Sequence, residues 1–242
     1  MSCSSGANPH RHGLSVKVAE LTNMTLTWIA AAATLATLAL YELAAALTQR
    51  HHPQQHARSA HASLREDWFA AVSAQPGSEI VAVQTLRNSL MSATMTASTA
   101  VLGLLGTITL AAPSLLASLG ESASGELVFT PRLLIELTLM ALFFASLVCS
   151  TMAVRYYNHA SFICAMPVGS ACRLQWFAAG TAYVRRAGIL YSWGLRHLLL
   201  VAPAVAFILH PLAGPVTAIG MVWVLRSFDR MSNTGTVDLP AA

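Results

Sequence analysis

MSATMTASTAVLGLLGTITLAA, residues 91–112, carries no charged side chain, and neither does the rest of the interval between Arg87 and Glu121. At 1.5 Å per residue a helix of this length reaches about 33 Å, enough to cross a hydrocarbon core of about 30 Å. In such a medium every backbone N–H and C=O needs an internal partner, so the run reads as a helix. Its Ala, Ser, Thr and Gly residues let a second helix approach closely. That predicts a central place in a bundle, with Pro113 bending or ending the helix.

Working outward, three further runs have the same character. Residues 24–48, MTLTWIAAAATLATLALYELAAALT, begin near Trp28 and end before Arg50, His51 and His52. Residues 133–154, LLIELTLMALFFASLVCSTMAV, form another run, and 197–225, with Pro203, Pro211 and Pro215, read as one kinked helix, with a broken or re-entrant segment as the alternative. Composition agrees. Hydrophobic residues make up 55% of the 242-residue chain and charged residues 10%, where soluble domains carry about a quarter. The expected fold is all-α: an integral membrane helical bundle with four transmembrane helices, about 24–48, 89–112, 133–154 and 197–225, plus interfacial amphipathic helices.

The connections fill in the domain plan. Residues 1–23 read as a disordered leader, or as sequence upstream of a true start at Met24, and lack the pattern of a cleaved signal. In the polar loop 49–88, Leu64, Trp68, Phe69 and Val72 share one helical face, which suits a helix lying on a membrane surface. The basic loop 155–196 contains a stretch, 174–192, apolar enough for a partly embedded amphipathic helix. Residues 231–242 are a polar tail. Arg50, Arg58, Arg65 and Arg87 flank the first loop; Arg155, Arg173, Arg185, Arg186 and Arg196 lie in the other. Basic residues favour the cytoplasmic side, so both loops are expected inside and both termini outside a cell inner membrane; a stretch 174–192 that spanned would instead move the C-terminus inside.

Three polar sets are candidate sites. Gln84, Arg87 and Asn88 share a helical face, as do Arg155, Asn158 and His159. Placed at one level, these sets would hold an anion or a lipid headgroup. The plainer alternative has them capping helices, reaching to headgroups and pairing with Glu66 or Asp67. Glu42 and Glu136 are acids in or beside apolar runs, hence proton or ion candidates. They lie toward opposite ends of their spans and are not expected to pair. His210 sits near the middle of the last run, where a neutral imidazole bonded to a neighbouring helix is the plainer reading.

His51, His52, His56 and His61 match no closed metal-ligand set, and the four cysteines form no CxxC pair. Phosphate-binding loops, dinucleotide fingerprints, HExxH and GxSxG are absent from the sequence. A net charge of +4 is too small and scattered for a nucleic-acid surface. No metal, cofactor or catalytic residue is expected, and the reading is non-enzymatic.

Several segments carry a resemblance. Tyr41-Glu42, Arg65 with Trp68, AVQTLRNSLMSATMTASTAVLGLLG (82–106) and AVRYYNHASF (153–162) are similar to domain of unknown function family 599, uncharacterised multi-span membrane proteins. The similarity continues through Tyr191, Gly194-Leu195-Arg196, Pro203, Gly214-Pro215 and Asp229. It implies a multi-span protein and adds weight to Arg87, Asn88, Arg155, Asn158 and Arg196, but no activity. The expected role is a membrane scaffold or complex subunit. Its partners are then the lipid bilayer and a second copy or another membrane protein, joined through Ala97, Ala100 and Gly103. The alternative is a small oligomeric transporter or channel.

Overall fold

The computed structural model describes the backbone of residues 9–51, 57–120 and 129–231, and side chains within 21–47, 61–120 and 129–228. Seven helices follow in order: α1 Pro9–His51, α2 Ala57–Ala74, α3 Glu79–Gly120, α4 Pro131–Ala165, α5 Ala171–Leu199, α6 Val201–Leu209 and α7 Ala213–Met231. No strand occurs among the described residues. Four segments are long and apolar enough to cross a membrane: Leu21–Leu47, Glu79–Gly120, Pro131–Ala165 and Ala171–Leu209.

Local chemistry sets the helix ends. Thr130 caps α4, its Oγ1 accepting from the Leu133 N–H at 3.2 Å, with Pro131 opening the first turn. Ser170 caps α5 through the Arg173 N–H at 3.3 Å. Gly77 (φ 86) and Gly169 (φ 82) make the left-handed turns before α3 and α5.

The last third departs from expectation, and its prolines explain why. Pro203 has no N–H to offer the Leu199 carbonyl, so the long helix breaks at Leu200 and resumes as α6. Pro211 excludes helical backbone at His210 (φ −154, ψ 122), which ends α6. Pro215 falls in the first turn of α7, where no N–H is needed. The run 197–225 is therefore a turn between two helices, not one kinked helix. Its first part belongs to the candidate span Ala171–Leu209, which absorbs the stretch 174–192 expected as a partly embedded amphipathic helix. Residues 9–23, expected as part of a disordered leader, continue α1.

Helix α4 is the spine. Glu136, Leu139, Phe143, Ser146, Ser150, Ala153, Tyr157, Ala160 and Cys164 recur at alternating three- and four-residue steps along its inward face, all but Phe143 fully buried. Helix α3 runs antiparallel to it and presents Ala93, Thr96, Ala100, Thr107 and Ala111 as buried small residues. The Phe143 ring fills the space over Gly103. Most of α3's remaining surface is exposed, and α4 is its main neighbour. The expected central helix is thus peripheral, because its small residues serve one partner only.

Two storeys result. In one, α2 packs along α5, and Phe69, Ala82, Leu86, Tyr157, Ile163 and Val184 form part of a common core. In the other, α1 and α6 pack on α4 and α7 packs on α6 and α1, with cores around Ala31, Ile135 and Phe207 and around Leu38, Tyr41, Leu200 and Leu225. Helix α7 runs alongside α1 in the same direction: Gly214 abuts Thr34, and Leu225 shares a core with Tyr41. It ends beside α2.

Candidate functional site

Where the storeys meet, two neighbouring residues of α1 face two of α5. The Arg196 Nη1 donates to the Tyr41 hydroxyl at 2.6 Å, both side chains being buried. One position along, His197 Nε2 lies 3.8 Å from Glu42 Oε1, and the imidazole stacks on Trp193 at 5.8 Å between centroids. Ser146 Oγ donates to the Gly194 carbonyl at 2.8 Å. The buried Ser150 hydroxyl has no hydrogen-bond partner among the described residues. A Cβ at residue 194 would meet that hydroxyl at 2.5 Å, so Gly194 lets α5 press against α4 here. Leu38, Leu200, Val222 and Leu225 close the apolar side.

Chemically the cluster joins a guanidinium, a carboxylate, an imidazole and a phenol in surroundings of low polarity. With a neutral imidazole the two formal charges balance, which reduces the desolvation cost that an isolated ion would carry. Glu42 and His197 face one another at ion-pair distance, while Tyr41 and Arg196 hold the two helices in register.

The sequence candidates fall into separate places. Gln84, Arg87 and Asn88, and likewise Arg155, Asn158 and His159, are exposed on the α2-containing storey. No hydrogen bond or ion pair joins the two sets among the described residues. Arg196, grouped with them from sequence, is buried 12 residues along α5 from Val184, hence about 18 Å away from the Tyr157 level. Glu66 pairs with Arg185 at 3.1 Å rather than with Arg87 or Arg155.

Glu136 is fully buried and accepts from Arg132 Nε at 2.9 Å, with its Oε2 lacking a hydrogen-bond partner among the described residues. The Ser146–Ser150 level that Glu42 shares through His197 lies 10–14 residues further along α4, so the two acids stand roughly 15–20 Å apart. His210 is exposed in the turn between α6 and α7, because Pro211 ends the helix there, and not in mid-span. His61 is exposed; His51, His52, His56 and Cys3 lie outside the described side chains. Cys149, Cys164 and Cys172 are free thiols. No group of three metal-ligating side chains occurs among the described residues.

Sequence reasoning missed His197 and Arg173. Arg173 is 2% exposed and donates to the Cys164, Met166 and Val72 carbonyls at 3.2, 2.7 and 3.3 Å. It satisfies helix-end acceptors of α4 and α2 together. A charged dipeptide set between Leu195 and Leu198 was the available signal for His197; nothing local distinguished Arg173 from its exposed neighbours.

The fold defines a class: an all-helical protein with four helices long and apolar enough to span a membrane and a buried polar cluster between them. Residues 29–234 match the family described as Protein of unknown function, DUF599, and the chain belongs to that family. No curated protein and no solved structure matches it.

Proposed function

We propose that the protein is a non-enzymatic, multi-pass component of the bacterial inner membrane, a subunit whose α2-containing storey is a docking platform at the cytoplasmic surface. The carrying observation is the exposed polar set Arg87, Asn88, Arg155, Asn158 and Arg186 over a packed core. Helix length supports a projecting platform: α3, with 42 residues, is about 63 Å long, twice a hydrocarbon core. Charge supports the sidedness. The return of α7 puts Arg226 and Arg230 with the loop arginines and leaves Arg11, Lys17 and Arg132 at the other end.

The test is purification from native membranes in mild detergent, with the mass of the complex measured. The expected result is a defined assembly heavier than the protomer, dissociated by Arg87→Glu with Arg155→Glu while the helical spectrum is retained. A monomer in native lipid discs, unchanged by the charge reversals, overturns the reading.

A second reading, proton or ion transport, is favoured by the Glu42–His197 pair beside Tyr41–Arg196. It requires a proton flux in reconstituted vesicles that Glu42→Gln abolishes. Equal flux in vesicles with wild type and with this variant refutes it.

A further inference from the structure

Helix α2 packs along α5, and between α2 and α3 remains a cleft of about 310 Å³. Leu64, Arg65 and Trp68 of α2 form one wall, Thr85 and Ser89 of α3 the other, and Tyr157 of α4 lies at its base. The Arg65 guanidinium rests on Gly188, where any Cβ would overlap it, so the absence of a side chain there sets its position. The one hydrogen bond it makes among the described residues is a long one, 3.4 Å, to the His61 carbonyl one turn back. No described carboxylate pairs with it; the adjacent Glu66 is held by Arg185.

The Thr85 and Ser89 hydroxyls donate to carbonyls of their own helix, so the guanidinium is the charged donor of the cleft. Half-buried, with no carboxylate paired to it among the described residues and with Leu64 and Trp68 beside it, it suits an anion that carries an apolar body. Tyr157, at the base of the cleft, stands seven residues along α4 from Ser150, about 10 Å from the level of the Arg196–Tyr41 cluster. An amphipathic indole such as that of Trp68 suits a membrane–water interface.

We propose that this cleft binds a phosphate group through Arg65, with the apolar part of an acidic phospholipid against Leu64 and Trp68. The same guanidinium would also hold free phosphate, and the experiment separates the two sources. Delipidated protein in a neutral detergent is given phosphatidylglycerol, phosphatidylcholine or inorganic phosphate, and bound ligand is counted by native mass spectrometry. One phosphatidylglycerol per chain is expected, with phosphatidylcholine bound about tenfold more weakly or worse. Displacement by millimolar inorganic phosphate assigns the site to the anion alone; persistence of the lipid assigns it to the lipid.

Arg65→Gln should lose phosphatidylglycerol by about tenfold or more. Thr85→Trp, at the exposed rim, should fill the cleft and do the same with the guanidinium intact, and it decides the matter should Arg65→Gln not fold. Equal binding of the two lipids, absence of both lipid and phosphate, or wild-type binding by Thr85→Trp overturns the proposal.

Discussion

The Arg196 guanidinium and the Tyr41 hydroxyl meet at 2.6 Å across 155 positions of sequence, and this bond ties the first long helix to the fifth inside a buried cluster. It sets the register in which Glu42 comes to face His197. Tyr41→Phe removes the acceptor while keeping the ring. A charge-assisted hydrogen bond of this kind contributes about 1.5–3 kcal/mol. Thermal unfolding in detergent should show that loss, and a double-mutant cycle with Arg196→Gln should show coupling. Additive effects would mean that the bond contributes nothing to stability.

Gly103 and Gly106 offer a paired test of how α3 packs. A side chain at 103 meets the Phe143 ring, whereas nothing lies within 4 Å of the position a Cβ would take at 106. Gly103→Leu should destabilise by about 1–3 kcal/mol, and Phe143→Ala should recover part of it. Gly106→Ala should be neutral or stabilise by up to about 1 kcal/mol, through helix propensity. Both are read from unfolding curves. The buried Ala100 and the half-buried Gly103 belong to the contact with α4, so changes there report on the fold rather than on assembly.

Arg173 satisfies carbonyls at the ends of two helices. Arg173→Met keeps the aliphatic stem and removes every donor. The acceptors it leaves bare should lower stability by roughly 2–5 kcal/mol. Limited proteolysis should then cut between Met166 and Ser170 faster than in the wild type, where Arg173 holds the Met166 carbonyl.

The path of α7 predicts which side of the membrane each position labels from. Single cysteines at the exposed positions His61 and Gln175, and at 236, should react from one side. Those at Leu212, in the α6–α7 turn, and at 123 should react from the other. Labelling of 236 together with 212 would mean that α7 turns back without crossing. Gly180 is unsuitable for such labelling, because a side chain there runs into Phe69.

Much of this architecture was legible in the chain. Charge-free intervals locate the long helices, since a run such as 88–120 has no charged residue to hold it in water, and its backbone is satisfied within a helix. The family was legible too, through Tyr41-Glu42, AVQTLRNS and AVRYYNHASF. The error at 197–225 came from hydropathy. That measure averages over residues, whereas each proline acts on a single hydrogen bond four residues back or on the backbone of one preceding residue. Once Pro203, Pro211 and Pro215 are read by position, they mark the break, the turn and the first turn of α7.

By itself, then, the sequence determined an all-helical chain with four spans' worth of apolar length, because hydropathy and backbone hydrogen bonding are local properties. Only the tertiary structure decided that Arg196 leaves the company of Arg87 and Arg155 for Tyr41, that α3 is peripheral, and that Arg65 stands in a cleft with no carboxylate paired to it among the described residues. These depend on which helix faces meet and at what rotation. That choice is made by small residues such as Gly188 and Gly194, whose effect is felt by the side chain of another helix and leaves no trace in their own neighbourhood of sequence.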